Sequence, residues 1–121
     1  MGGVNIVLTI VKFIISTLTA ITGLYIIIRP QSYARLAGFS AAGERGRVEI
    51  RAIMGGVFLG LGLAPVILFN HPIALTFVGV VYIFVALTRL ISLFLDRSFE
   101  SFGIVFLLVE AGFGLIMVIP S

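Results

Sequence analysis

Cysteine is absent from the chain. That excludes disulfides, thiolate metal sites and cysteine nucleophiles, and it leaves the redox compartment unread. Charge is scarce as well: eight basic and five acidic side chains make up 11% of 121 residues, against roughly 25% in ordinary globular chains. A soluble domain of this length exposes a large share of its surface, and so few charges cannot cover it. A soluble enzyme, a nucleic-acid-binding module and a disordered chain are excluded together. Histidine occurs once, at His71 beside Pro72. With no second histidine to complete an axial pair for a haem or chlorin, it reads as a turn residue.

Apolar residues are abundant. They reach 60%, with a mean hydropathy of +1.27, and they fall in long runs, as in an integral membrane protein. The run from Val4 to Ile28 is too long for a signal peptide, whose apolar stretch is about 7–15 residues, and its one lysine sits inside it rather than before it. It is expected to be a retained spanning helix. Crossing the hydrocarbon core takes about 20 apolar residues, and four segments qualify, at about 4–28, 49–69, 72–95 and 102–119. The runs are continuously apolar rather than alternating, which excludes a β-barrel. The expectation is an all-α fold: a single domain over 1–121, a polytopic bundle of four transmembrane helices. Pro65 predicts a kink near the outer end of the second segment.

Two connections, at Asn70-His71 and Asp96–Ser101, are tight enough to force antiparallel neighbours. The long connection, 29–48, contains Tyr33, Leu36 and Phe39 at a spacing that suits a short interfacial helix, with Gly38 and Gly43 as breakers. Arg29, Arg35, Arg45, Arg47, Arg51 and Arg97 all lie on the side of the first and third loops. Arginine bias makes that side cytoplasmic, so both termini are expected outside, in an inner membrane if the host is Gram-negative. Apart from tails at 1–3 and 120–121 and the Asn70-His71 turn, nothing is expected on the outer face. Arg45, Arg47 and Arg51 form a basic group suited to anionic lipid.

The polar residues at membrane depth are the candidate site. An ionisable side chain there costs about 2.5–3.5 kcal/mol on insertion scales and is a functional hypothesis by default. Lys12 shares a helical face with Asn5, Thr9, Ser16, Thr19 and Gly23, a polar and small stripe that should face protein. Lys12 and Glu110 both lie about 12–14 Å from the outer ends of their helices at a 1.5 Å rise. They are expected to pair, bringing the first segment against the fourth. Glu49 and Arg89 lie near the inner surface and are expected to bridge, with Asp96 as a second partner. Gly56 and Gly60 form a Gly-x-x-x-Gly contact motif, and Gly103 and Gly114 flank Glu110. No metal ligand set, catalytic residue or cofactor is expected.

Glu49-Ile-Arg51-Ala52-Ile-Met-Gly55-Gly56, Arg89-Leu-Ile-Ser92-Leu-Phe-Leu-Asp96 and the helical Glu110 together resemble a bacterial family of small four-helix membrane proteins of unknown function, distantly similar to DoxX-like proteins. The resemblance implies a fold and a topology, and no activity. Lys12 lies outside that pattern. Small multidrug-resistance transporters share the size and helix count but carry a glutamate in the first helix, where this chain has Lys12.

Three functions are open at this level. The first is a non-catalytic accessory or structural subunit, packing laterally against a larger membrane complex or against copies of itself. The second is a small proton-coupled transporter or channel using Lys12 and Glu110. The third is a binder of lipid- or quinone-type amphiphiles. The lipid bilayer is an expected partner in all three, and nucleic acid in none.

Overall fold

The computed structural model describes residues 2–38, 40 and 43–120, with side chains from Ile6 onward. Phe39, the side chain of Asn5 and the terminal residues 1 and 121 lie outside the described residues. All regular structure in this range is helical: α1 Gly2–Ile28, α2 Pro30–Ala37, α3 Gly43–Glu49, a π-helical turn Ile50–Gly55, α4 Gly56–Ile67, α5 Ile73–Leu95 and α6 Ser101–Val118. The segment from α3 through α4 is one continuous span, Gly43–Ile67. With α1, α5 and α6 it makes four helices long and apolar enough to cross a membrane. The protein is a multi-pass helical membrane protein, with Ile6, Ile14, Phe77, Phe84 and Leu108 among many large apolar side chains left exposed to lipid.

The expected boundaries hold to within one or two residues at α1, α5 and α6. The second span begins six residues earlier than expected, because the charged stretch Gly43–Glu49 is already helical. The connection before it is shortened further by α2. This helix opens on Pro30 at a position where proline's missing N–H is not needed. It ends at Gly38, which takes the left-handed conformation at φ 84° and donates its N–H to the carbonyls of Ala34 and Arg35.

The described chain forms two compact units, with the division inside α1. One takes in the chain up to Lys12 together with Asn70 onward. The other runs Phe13–Phe69.

In the Phe13–Phe69 unit, the C-terminal part of α1 lies against the second span at backbone contact. A Cβ on Gly62 would stand 2.2 Å from the Ala20 nitrogen, and one on Gly23 would stand 2.2 Å from the Leu59 nitrogen. Gly55 meets Ile27. Gly55, Leu59 and Gly62 recur at helical spacing on one face, antiparallel to Gly23, Ala20 and Ser16. The expected inward stripe of α1 is present here: Ser16 and Thr19 are fully buried. Thr19, like Thr17 and Thr22, donates its hydroxyl to the carbonyl four residues back, which satisfies it without water. Pro65 lies inside α4, buried.

In the other unit, α5 and α6 form an antiparallel hairpin. Gly79 lies against Met117 and Gly114, Gly114 against Ile83, and Gly103 against Leu93. Tyr82 and Phe113 meet edge to face at 5.7 Å. After the last helical bond, from Asp96 N–H to Ser92 O, the turn between the helices closes with the 6→1 bond of a Schellman motif, Ser98 N–H donating to Leu93 O at 3.1 Å. Arg97 occupies its left-handed position at φ 49°.

Candidate functional site

The hairpin carries an ion pair between its two helices. Arg89 on α5 lies six residues before the end of its helix, and Glu110 on α6 lies nine residues after the start of its own. At 1.5 Å per residue the two Cα positions differ in depth by about 4–5 Å, a gap an arginine side chain spans. The guanidinium grips the carboxylate with two bonds, Nε to Oε1 at 2.6 Å and Nη2 to Oε2 at 2.9 Å. The Glu110 side chain is 8% exposed and the Arg89 side chain 30%. Phe106, one turn before Glu110, lies under the guanidinium at 5.6 Å. A planar cation thus meets a carboxylate edge-on and an aromatic ring face-on, the geometry arginine suits and lysine does not. In an apolar surround the pair is close to neutral, and every charged oxygen has a donor.

Both expected pairings are corrected by this arrangement. Glu110 was the partner expected for Lys12, and Arg89 the partner expected for Glu49, with Asp96 second. Instead Arg89 and Glu110 take each other, because the short α5–α6 turn holds their helices side by side. Lys12, buried at 3%, turns its ammonium to the carbonyl oxygen of Ile119, just past the end of α6. The last carbonyls of a helix lack intrahelical partners and carry the negative end of its dipole, so they receive a cation well. The first and fourth segments do meet at Lys12, through a helix terminus rather than a carboxylate. Glu49 and Asp96 are both exposed.

Arg51 serves α1 in the same manner. Its Nε donates to the carbonyl of Ile27 at 2.9 Å, in the last turn of a helix that has no basic residue of its own there. Of the expected basic group, Arg45 and Arg51 are exposed and Arg47 is half-buried. The π-helical turn Ile50–Gly55 was not foreseen. It closes with a bond from the Gly56 N–H to the Arg51 carbonyl, and it contains both Arg51 and the contact residue Gly55.

The glycines divide differently from expectation. Gly103 and Gly114 do lie at the α5–α6 contact. Gly56 and Gly60 do not make the contact with α1; Gly55 and Gly62 do. Nothing stands within 4 Å of where a Cβ on Gly60 would be, and for Gly56 only the Arg51 carbonyl at 3.9 Å. These two glycines line a shallow groove of about 500 Å³ with Leu59, Leu63, Ala64 and Ile67. A second, larger groove of about 760 Å³ runs along α5, from Val80 and Phe84 to Arg89, Ser92, Asp96 and Ser98.

Residues 7–120 match a family described as Domain of unknown function (DUF4345). The chain belongs to that family. The match takes in all four spans, from the N-terminal part of α1 to the end of α6, and so includes Lys12, Arg51, the Arg89–Glu110 pair and both grooves of this DUF4345 domain. No curated protein and no solved structure matches the chain.

Proposed function

We propose that this protein is a small non-catalytic subunit of the membrane that works by lateral association, through the face of α4 bearing Gly56, Gly60 and Ala64. One observation carries the reading. Where glycines serve contacts within the chain, at Gly23, Gly55, Gly62, Gly79 and Gly114, another residue stands close enough to exclude a Cβ. On α4, three small residues at four-residue spacing leave an open groove instead. Helices in lipid associate where small residues let backbones approach, and this stripe suits one more helix, from a second copy or a larger complex. The proton-pathway alternative loses support because Lys12 and Glu110 have separate partners. The arginine-rich side is assigned to the cytoplasm and both termini to the outer face of an inner membrane, on the positive-inside rule. The motifs around Glu49, Arg89 and Glu110 support a distant kinship with DoxX-like proteins.

The test is Gly60→Leu, which puts an apolar side chain into the groove from a position where a Cβ meets nothing within 4 Å. Expressed in native membranes and purified in mild detergent, the parent should run as a homo-oligomer or with a stoichiometric partner, and Gly60→Leu should run as a folded monomer. A parent that is monomeric and partner-free, or a variant that assembles like the parent, would sink the reading.

A further inference from the structure

The groove along α5 changes character over its length. Its deep end is apolar, with Val80, Val81 and Phe84; its shallow end is polar, with Ser92, Asp96 and Ser98. Phe84 lies eleven residues from the end of α5, about 16 Å by helical rise, which is roughly half the hydrocarbon thickness. Asp96 follows the last residue of the helix and so stands at the interface. The volume of about 760 Å³ falls within the range of roughly 300–1,000 Å³ seen for small-molecule sites. A pocket apolar at mid-membrane depth and polar at the interface has the profile of a lipid.

The charges decide which lipid. Arg89 lines the groove, but its charge is matched by Glu110. Arg97, next to Asp96, does not line it. Asp96 has no ion-pair partner among the described residues, so the groove's unmatched charge is one carboxylate at headgroup level. We propose that this groove binds one phospholipid with an amine-bearing headgroup: the ammonium on Asp96, phosphate or ester oxygens accepting from the hydroxyls of Ser92 and Ser98, and an acyl chain over Phe84 and Val80. An anionic headgroup would meet the carboxylate with like charge. A quaternary headgroup would keep the attraction but offer no N–H donor.

The chain has no tryptophan, so a single introduced one reports alone. Ile91→Trp stands beside the groove, on an exposed position of α5 that does not line it; Leu108→Trp stands on an exposed position of α6. Each full-length variant is reconstituted in vesicles containing bromine-labelled phosphatidylethanolamine, phosphatidylcholine or phosphatidylglycerol, and quenching is measured. At Ile91→Trp the ethanolamine lipid should bind about two- to fivefold more strongly than the others, the scale of an exposed ion pair. At Leu108→Trp the three should quench alike. Adding Asp96→Asn to Ile91→Trp should abolish the preference, and Asp96→Glu should keep it. Equal quenching at Ile91→Trp, a preference for phosphatidylglycerol, the same preference at Leu108→Trp, or a preference that survives Asp96→Asn would each overturn the assignment.

Discussion

Arg89 and Glu110 have to be judged as a unit. Removing one member of a buried ion pair strands the other, which costs about 3–5 kcal/mol, whereas replacing both by apolar residues of similar size is often neutral. Glu110→Gln is therefore expected to lower stability by about 3 kcal/mol or more, and Arg89→Met with Glu110→Met to restore most of the loss. Reversible unfolding in mixed detergent micelles measures both. A double variant as unstable as the single would mean the charges do more than neutralise each other. The positions of these residues were legible in the sequence, since an ionisable group in an apolar run stands out. Their partners were not. Glu110 is nearly midway along an 18-residue helix, so depth alone fits Lys12 on one side and Arg89 on the other. The choice falls to the neighbour joined by the shorter turn, while Lys12 finds the carbonyl end of the same helix.

The same contrast recurs for whole helices. Spans were legible because length and hydropathy define them, and the end of α2 because Gly38 and Gly43 interrupt it. The start of the second span was hidden, since Gly43–Glu49 has the composition of a loop. Which glycines of the second span meet α1 was not legible, because Gly55, Gly56, Gly60 and Gly62 all stand in one apolar run and their spacing alone does not say which of them face the chain's own neighbour. Substitution tests the close approach, with an open glycine elsewhere as the control. Gly62→Ala puts a methyl group against the backbone of Ala20 and is expected to cost about 1–3 kcal/mol, the usual range for overpacking. Gly112→Ala, with nothing within 4 Å, should leave stability unchanged or slightly raised, since alanine is the better helix former. Thermal melts of the two variants side by side decide it; equal losses would refute the close α1–α4 approach.

For the molecule as a whole, orientation is the expectation most directly open to experiment. The absence of cysteine makes the chain ready for single-cysteine mapping. Ser40→Cys, in the connection between α2 and α3, should react with a membrane-impermeant maleimide only after the cells are opened. His71→Cys, in the turn between α4 and α5, should react from outside in intact cells. The reverse pattern would invert the topology and place the arginines on the wrong face for the positive-inside rule.

The α5–α6 hairpin also bears on how the protein enters the bilayer. Of the four spans, α6 is the shortest and carries a carboxylate near its centre, so on its own it would face the insertion penalty of an unmatched charge. The matching guanidinium is on the helix made just before it, across a turn of five residues. The two helices therefore have reason to leave the insertion machinery together, α5 held until α6 has emerged and the charges have met. For this chain the ion pair then bears on insertion as well as on folded stability: either charge alone meets the penalty, and the matched pair does not.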